Sequence, residues 1–131
     1  MKIGRSVLLG LVAIIALVMA ANAALWLLAP ARAAEALAMP LLTGAALSSQ
    51  MDIAAFFLAA ATFTVLGLIT RNPPWFIAAA VLLGGAAAFR TVAFLFHGAT
   101  FAADMVGIEI VMSSILVIAA RVLVRRSDIC R

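Results

Sequence analysis

The chain has 131 residues, of which 68% are hydrophobic and 11% charged, and its mean hydropathy is +1.29. Such a composition excludes an ordinary soluble domain and leaves a polytopic membrane protein as the expected class. The formal charge of +4 does not point to nucleic acid, because the basic residues gather at the ends of apolar runs and not on one solvated face.

About four spans of roughly 20 residues, with short connections, use up the length, so one transmembrane domain over 1–131 is expected. Lys2 and Arg5 precede the first apolar run, 7–29. Ala21-Asn22-Ala23 has the small-x-small form of a signal-peptidase site, which makes a cleaved leader the alternative for this segment. The run continues through Leu25, Trp26, Leu27 and Leu28, long enough to span, and this favours a retained first helix.

The stretch 31–39, between Pro30 and Pro40, is rich in helix formers, carries Arg32 and Glu35 three residues apart, and is too short to span. It predicts a short helix lying at the membrane surface, with Pro30 suited to its first turn and Pro40 to its end. The second span is expected over 45–70, with Ser48, Ser49, Gln50 and Asp52 near its start and Thr62 and Thr64 deeper. Arg71-Asn72-Pro73-Pro74 then makes a tight turn, since paired prolines cannot continue a helix. A third span, 75–96, stops at His97-Gly98, and a fourth, 101–124, leads into a polar tail. Trp26 and Trp75 are expected as interface anchors. Cys130 is the only cysteine, so no disulfide within the chain is expected. The fold class is therefore all-α: a four-transmembrane-helix up-down bundle with an interfacial helix between helices 1 and 2.

Orientation follows from the basic residues at each connection. In an up-down arrangement Lys2, Arg5, Arg71, Arg121, Arg125, Arg126 and Arg131 fall on one side, against Arg32 alone in the opposite loops. Both termini are expected to be cytoplasmic. In a bacterial inner membrane the loops with Arg32, Glu35 and His97 would face the periplasm.

Converting position into depth at about 1.5 Å per helical residue gives a polar layer. Arg90 lies roughly 10 Å inside the end of the third span, and Glu109, Asp52 and Asn22 lie at similar depths in the fourth, second and first. Arg90 and His97 are seven apart and share a face, with His97 and Asp104 nearer the mouth. Ser113 and Ser48 each place a hydroxyl four residues from a carboxylate, on the same face as Glu109 and Asp52 respectively.

Ionisable groups at membrane depth are costly, and this layer supports three readings. It is a buried ion network that serves assembly, a binding site, or a proton or cation pathway. Two acids to one base leave one carboxylate without a full cationic partner, to be met by a proton, a cation or a hydrogen-bonding ligand. The candidate ligand-binding residues are Asn22, Asp52, Arg90, His97 and Glu109. No H-x-x-E or HExxH pair is present, so no metal or cofactor is expected and no catalytic residue is assigned; a lipid-modifying enzyme would need His97 beside Glu109. Phe56, Phe57, Phe63, Phe89, Phe94 and Phe96 either line an apolar ligand cavity or fill core and lipid-facing space. Gly84, Gly85 and the alanines at 59–61 and 86–88 allow close helix approach, within the bundle or between copies.

The motifs Ala29-Pro30-Ala31, Phe89-Arg90-Thr91, His97-Gly98-Ala99 and Ile108-Glu109-Ile110 together resemble those of small bacterial four-helix integral membrane proteins of unknown function, loosely DoxX-like. The resemblance runs from about Leu8 to Arg121. It implies a four-helix bundle with a shared Arg90/Glu109 pair, and it supplies no activity. His97 departs from it, standing where such proteins lead one to expect an acidic residue. Small multidrug transporters are also four-helix proteins, but they use an acidic residue in the middle of helix 1, which this chain lacks. The expected function is binding of a lipid-like or small amphipathic ligand in a polar pocket of the periplasmic half. The alternatives are an accessory membrane subunit and proton- or cation-coupled transport. Membrane lipids are the expected partners, with a homo-oligomer or a larger membrane complex left open.

Overall fold

Alanine and leucine, both good helix formers, are the commonest residues of the apolar runs, so helix is the state the backbone reaches most readily. In lipid it is also the one open-chain state that satisfies every backbone polar group internally. The structure is a computed structural model that describes residues 2–123. It contains α1 (Lys2–Leu28), α2 (Pro30–Ala36), α3 (Gly44–Thr70), α4 (Pro73–His97) and α5 (Ala103–Val122), with no strand among the described residues. The four longer helices are long and apolar enough to cross a membrane, and α2 is the short helix expected after the first of them. The polar tail, with Arg125, Arg126, Cys130 and Arg131, lies outside the described residues.

Helix α5 begins at Ala103, two residues after the expected start, and three other helix ends differ from expectation for local reasons. The first helix begins at Lys2, ahead of the apolar run, because Lys and Arg are good helix formers and break only the hydrophobicity. Helix α4 takes in both prolines: Asn72 is extended at the N-cap, and Pro73 and Pro74 occupy the first turn, where a missing N–H costs nothing. Helix α2 stops at Ala36, three residues short of the expected 39. The Ala38 N–H donates to the Glu35 carbonyl at 2.9 Å and the Met39 N–H to the Ala34 carbonyl at 3.0 Å, a Schellman closure with Ala38 left-handed at φ 53°. By contrast, α4 ends as expected, with Gly98 left-handed at φ 68°.

Helix α1 packs against α3 and α5, and α4 packs against α5 and α3, closing a ring of four; α2 folds back on α1. The main core joins Val12, Ile15 and Met19 of α1 to small residues of the other helices, such as Ala60, Ala79 and Ala119, with Phe76 and Leu116 filling the larger gaps. A second core forms at the α2 end, where Trp26 is fully buried among Ala33, Ala34 and Ala54. Trp26 is therefore not an interface anchor: α2 covers the ring, and its Nε1 has no hydrogen-bond partner among the described residues. Trp75 is half-buried and stacks on Phe63, with ring centroids 5.8 Å apart. On the outer surface, Leu17, Leu28, Ile69, Val81, Phe89 and Phe96 are exposed, the side of the bundle that lipid would cover.

Candidate functional site

The site lies in the half of the bundle nearest α2 and the α4–α5 connection. Arg90 stands seven residues before the end of α4 and Glu109 six after the start of α5, so antiparallel neighbours bring them to one level. Arg90 Nε donates to Glu109 Oε1 at 3.2 Å, and their side chains are 32% and 12% exposed. Of the two carboxylates that could have met the arginine, the fold selects Glu109. Asp52 is exposed and makes no ion pair within the described residues.

The pairing is incomplete on both sides. Glu109 Oε2 is buried with no hydrogen-bond partner, and the Nε bond is the arginine's one hydrogen bond, in both cases among the described residues. A guanidinium carries five N–H donors in a fixed fork, so most of its donor capacity is left for something else.

Three cavities meet at Arg90, which lines each of them. The first, of about 380 Å³, is bounded by Asp52, Ile53, Phe56, Phe57, Ala86, Arg90 and Glu109 under a roof of Leu37 and Met39. The second, of about 210 Å³, runs inward between Val18, Met19, Asn22, Phe56, Phe57, Leu83, Met105, Ile108 and Met112, with Arg90 and Glu109 again on its wall. The third, of about 600 Å³, lies toward the α4–α5 connection and includes Thr100, Phe101 and Asp104. Asn22, Asp52, Arg90 and Glu109, one from each long helix, thus line the first two cavities, which share Phe56 and Phe57. The two rings stand edge to face with centroids 5.4 Å apart, an arrangement that holds both in place as a wall.

One residue stands elsewhere than the spacing implied, and one stands in place with its amide already engaged. His97 is exposed at the last position of α4 and lines none of these three cavities; it shares a helix face with Arg90 but sits where α4 has few neighbours. Asn22 lines the second cavity, but its amide N–H donates to the Val18 carbonyl of its own helix at 2.9 Å. The expected hydroxyl support for Glu109 is also redirected. Ser113 donates to the Ala80 carbonyl across the α4–α5 contact at 2.9 Å, where Gly84 leaves room for it.

Gln50 is the residue that spacing did not single out. It is buried, its Nε2 donates to the Pro40 carbonyl at 2.9 Å, and its Oε1 accepts from the Leu42 N–H at 2.9 Å. These two bonds tie down the strand of chain between α2 and α3. That strand begins with Leu37, which lines all three cavities, so Gln50 fixes their roof. An amide in the first turns of α3, just after a connection too irregular to satisfy its own backbone, was the available signal.

The described residues hold no cluster of His, Cys, Asp and Glu that could bind a metal ion. What the arrangement offers is a half-satisfied arginine, a half-satisfied glutamate and a second carboxylate, set at the edge of an aromatic and methionine-lined space. No protein-family model, curated protein or solved structure matches the chain.

Proposed function

We propose that this is a bacterial inner-membrane protein, with both termini cytoplasmic, that binds a lipid-like or small amphipathic ligand at the Arg90 level. The orientation is supported by the basic residues: Arg5, Arg71 and Arg121 lie at one end of the bundle and Arg32 at the other. The single observation that carries the binding reading is the incomplete pairing of Arg90 and Glu109 on the wall they share. A pair serving assembly alone gains most when both partners are fully hydrogen-bonded, because an unmet buried polar atom costs about 1–3 kcal/mol. Here one carboxylate oxygen is left unmet beside an apolar space. In this reading the ligand's polar head meets the Arg90 guanidinium, and its apolar part lies along Phe56, Phe57 and Met112.

The second reading, an accessory subunit whose ion pair serves assembly, rests on the fact that Arg90–Glu109 directly joins α4 to α5. It predicts that exchanging the charges, Arg90→Glu with Glu109→Arg, restores stability and leaves biology intact. Native mass spectrometry of protein extracted in mild detergent separates the two. The binding reading predicts a retained small molecule that the folded double variant Arg90→Leu/Glu109→Leu loses. A variant that folds and keeps the molecule contradicts it.

A further inference from the structure

We infer that the ligand head carries both an ammonium group with N–H donors and an anionic group, the chemistry of a phosphoethanolamine. This inference rests on the pocket proposed above and adds the identity of the head. The wall of the 380 Å³ cavity brings together Arg90, Glu109 and Asp52. With all three ionised it presents one positive and two negative groups, so a purely anionic head would deepen the imbalance. A purely cationic head would leave the arginine's remaining donors unmet.

A zwitterion satisfies both signs. The anionic group takes the Arg90 fork, which suits two oxygens of a phosphate or carboxylate. The ammonium meets the two carboxylates of the same lining, the exposed Asp52 and the more buried Glu109. The need for N–H donors comes from Glu109 Oε2, a buried acceptor with no partner among the described residues. A quaternary ammonium brings charge there but no hydrogen bond. The adjoining cavity, apart from Asn22, Arg90 and Glu109, is lined by apolar residues such as Met19, Leu83, Met105, Ile108 and Met112, and suits part of a chain attached to the same head. A volume of about 380 Å³ lies within the range of about 300–1,000 Å³ usual for small-molecule sites.

The test titrates delipidated full-length protein, followed by native mass spectrometry, with phosphatidylethanolamine, phosphatidylglycerol and phosphatidylcholine of matched chains, and with soluble phosphoethanolamine as competitor. The ethanolamine lipid is expected to bind about fivefold tighter than either other lipid, the scale of one accessible charge pair. Asp52→Asn should bring the ethanolamine and glycerol lipids to within about twofold of each other, and Asp52→Glu should restore the gap. Competition by soluble phosphoethanolamine at the lipid's own concentration would support the head chemistry and assign it to a soluble ligand; failure to compete assigns it to the lipid. Equal binding of all three lipids, unchanged by Asp52→Asn, overturns the zwitterion and leaves the pocket standing. Absence of any saturable lipid or phosphoethanolamine binding overturns both.

Discussion

Arg90 grips Glu109 by one oxygen only: Nε donates to Oε1 at 3.2 Å, while Oε2 is buried and unmet among the described residues. The contact joins α4 to α5 and at the same time leaves both side chains chemically available. Substitutions that separate shape from charge should therefore behave differently. Glu109→Gln keeps a carbonyl oxygen for the Arg90 N–H and should melt close to the wild type. Glu109→Leu strands the arginine and should destabilise by about 1–3 kcal/mol, toward the lower end because the Arg90 side chain is 32% exposed. Thermal unfolding in detergent checks the order, and a Glu109→Leu protein as stable as the wild type would show that the pair holds nothing together.

Gly67 sets how closely α3 approaches α4. A β-carbon there would lie 2.6 Å from two ring atoms of Phe76, which is fully buried and has nowhere to move. Gly67→Ala should cost about 1–3 kcal/mol by overpacking, whereas Gly85→Ala, which meets nothing within 4 Å, should be neutral or stabilising by up to about 1 kcal/mol. Parallel melting curves of the two variants test this, and equal effects would contradict the packing described for Phe76.

Gln50 holds the roof of the cavities, so its loss should be felt in the connection between α2 and α3. Gln50→Ala leaves the Pro40 carbonyl and the Leu42 N–H unmet and should lower stability by about 1–3 kcal/mol. Limited proteolysis should show faster cleavage within 37–43, with the rest of the bundle still protected. Unchanged cleavage there would mean that the strand is held by its apolar contacts alone.

Much of this molecule could be read from its residues. The four long helices, the short α2, the break after Thr70 and the stop at Gly98 all carry local signals that tertiary context did not override, although the break is confined to Arg71 and Asn72. Depth counting also brought Asn22, Asp52, Arg90 and Glu109 to one level, because antiparallel helices with short connections keep their ends in step. Facing was harder. These helices are apolar nearly all round, so no stripe marks the side turned inward, and Asp52 proves exposed while Trp26 proves buried. The seven-residue spacing relates His97 to Arg90 along one helix but could not show that the last turn of α4 is exposed. Gln50 was not marked as a site residue by its spacing because its partners, the Pro40 carbonyl, the Leu42 N–H and the Met39 sulfur, belong to an irregular connection with no pairing signature.

Whether Arg90 serves a ligand and not only Glu109 would be visible in an experimental density map of the protein in lipid nanodiscs. Density for a bound molecule is expected within hydrogen-bonding distance of the Arg90 guanidinium, with its apolar part beside Phe56 and Phe57. A map in which the guanidinium is instead closed off by Asp52 and Glu109 together, with lipid only around the outer surface, would contradict it.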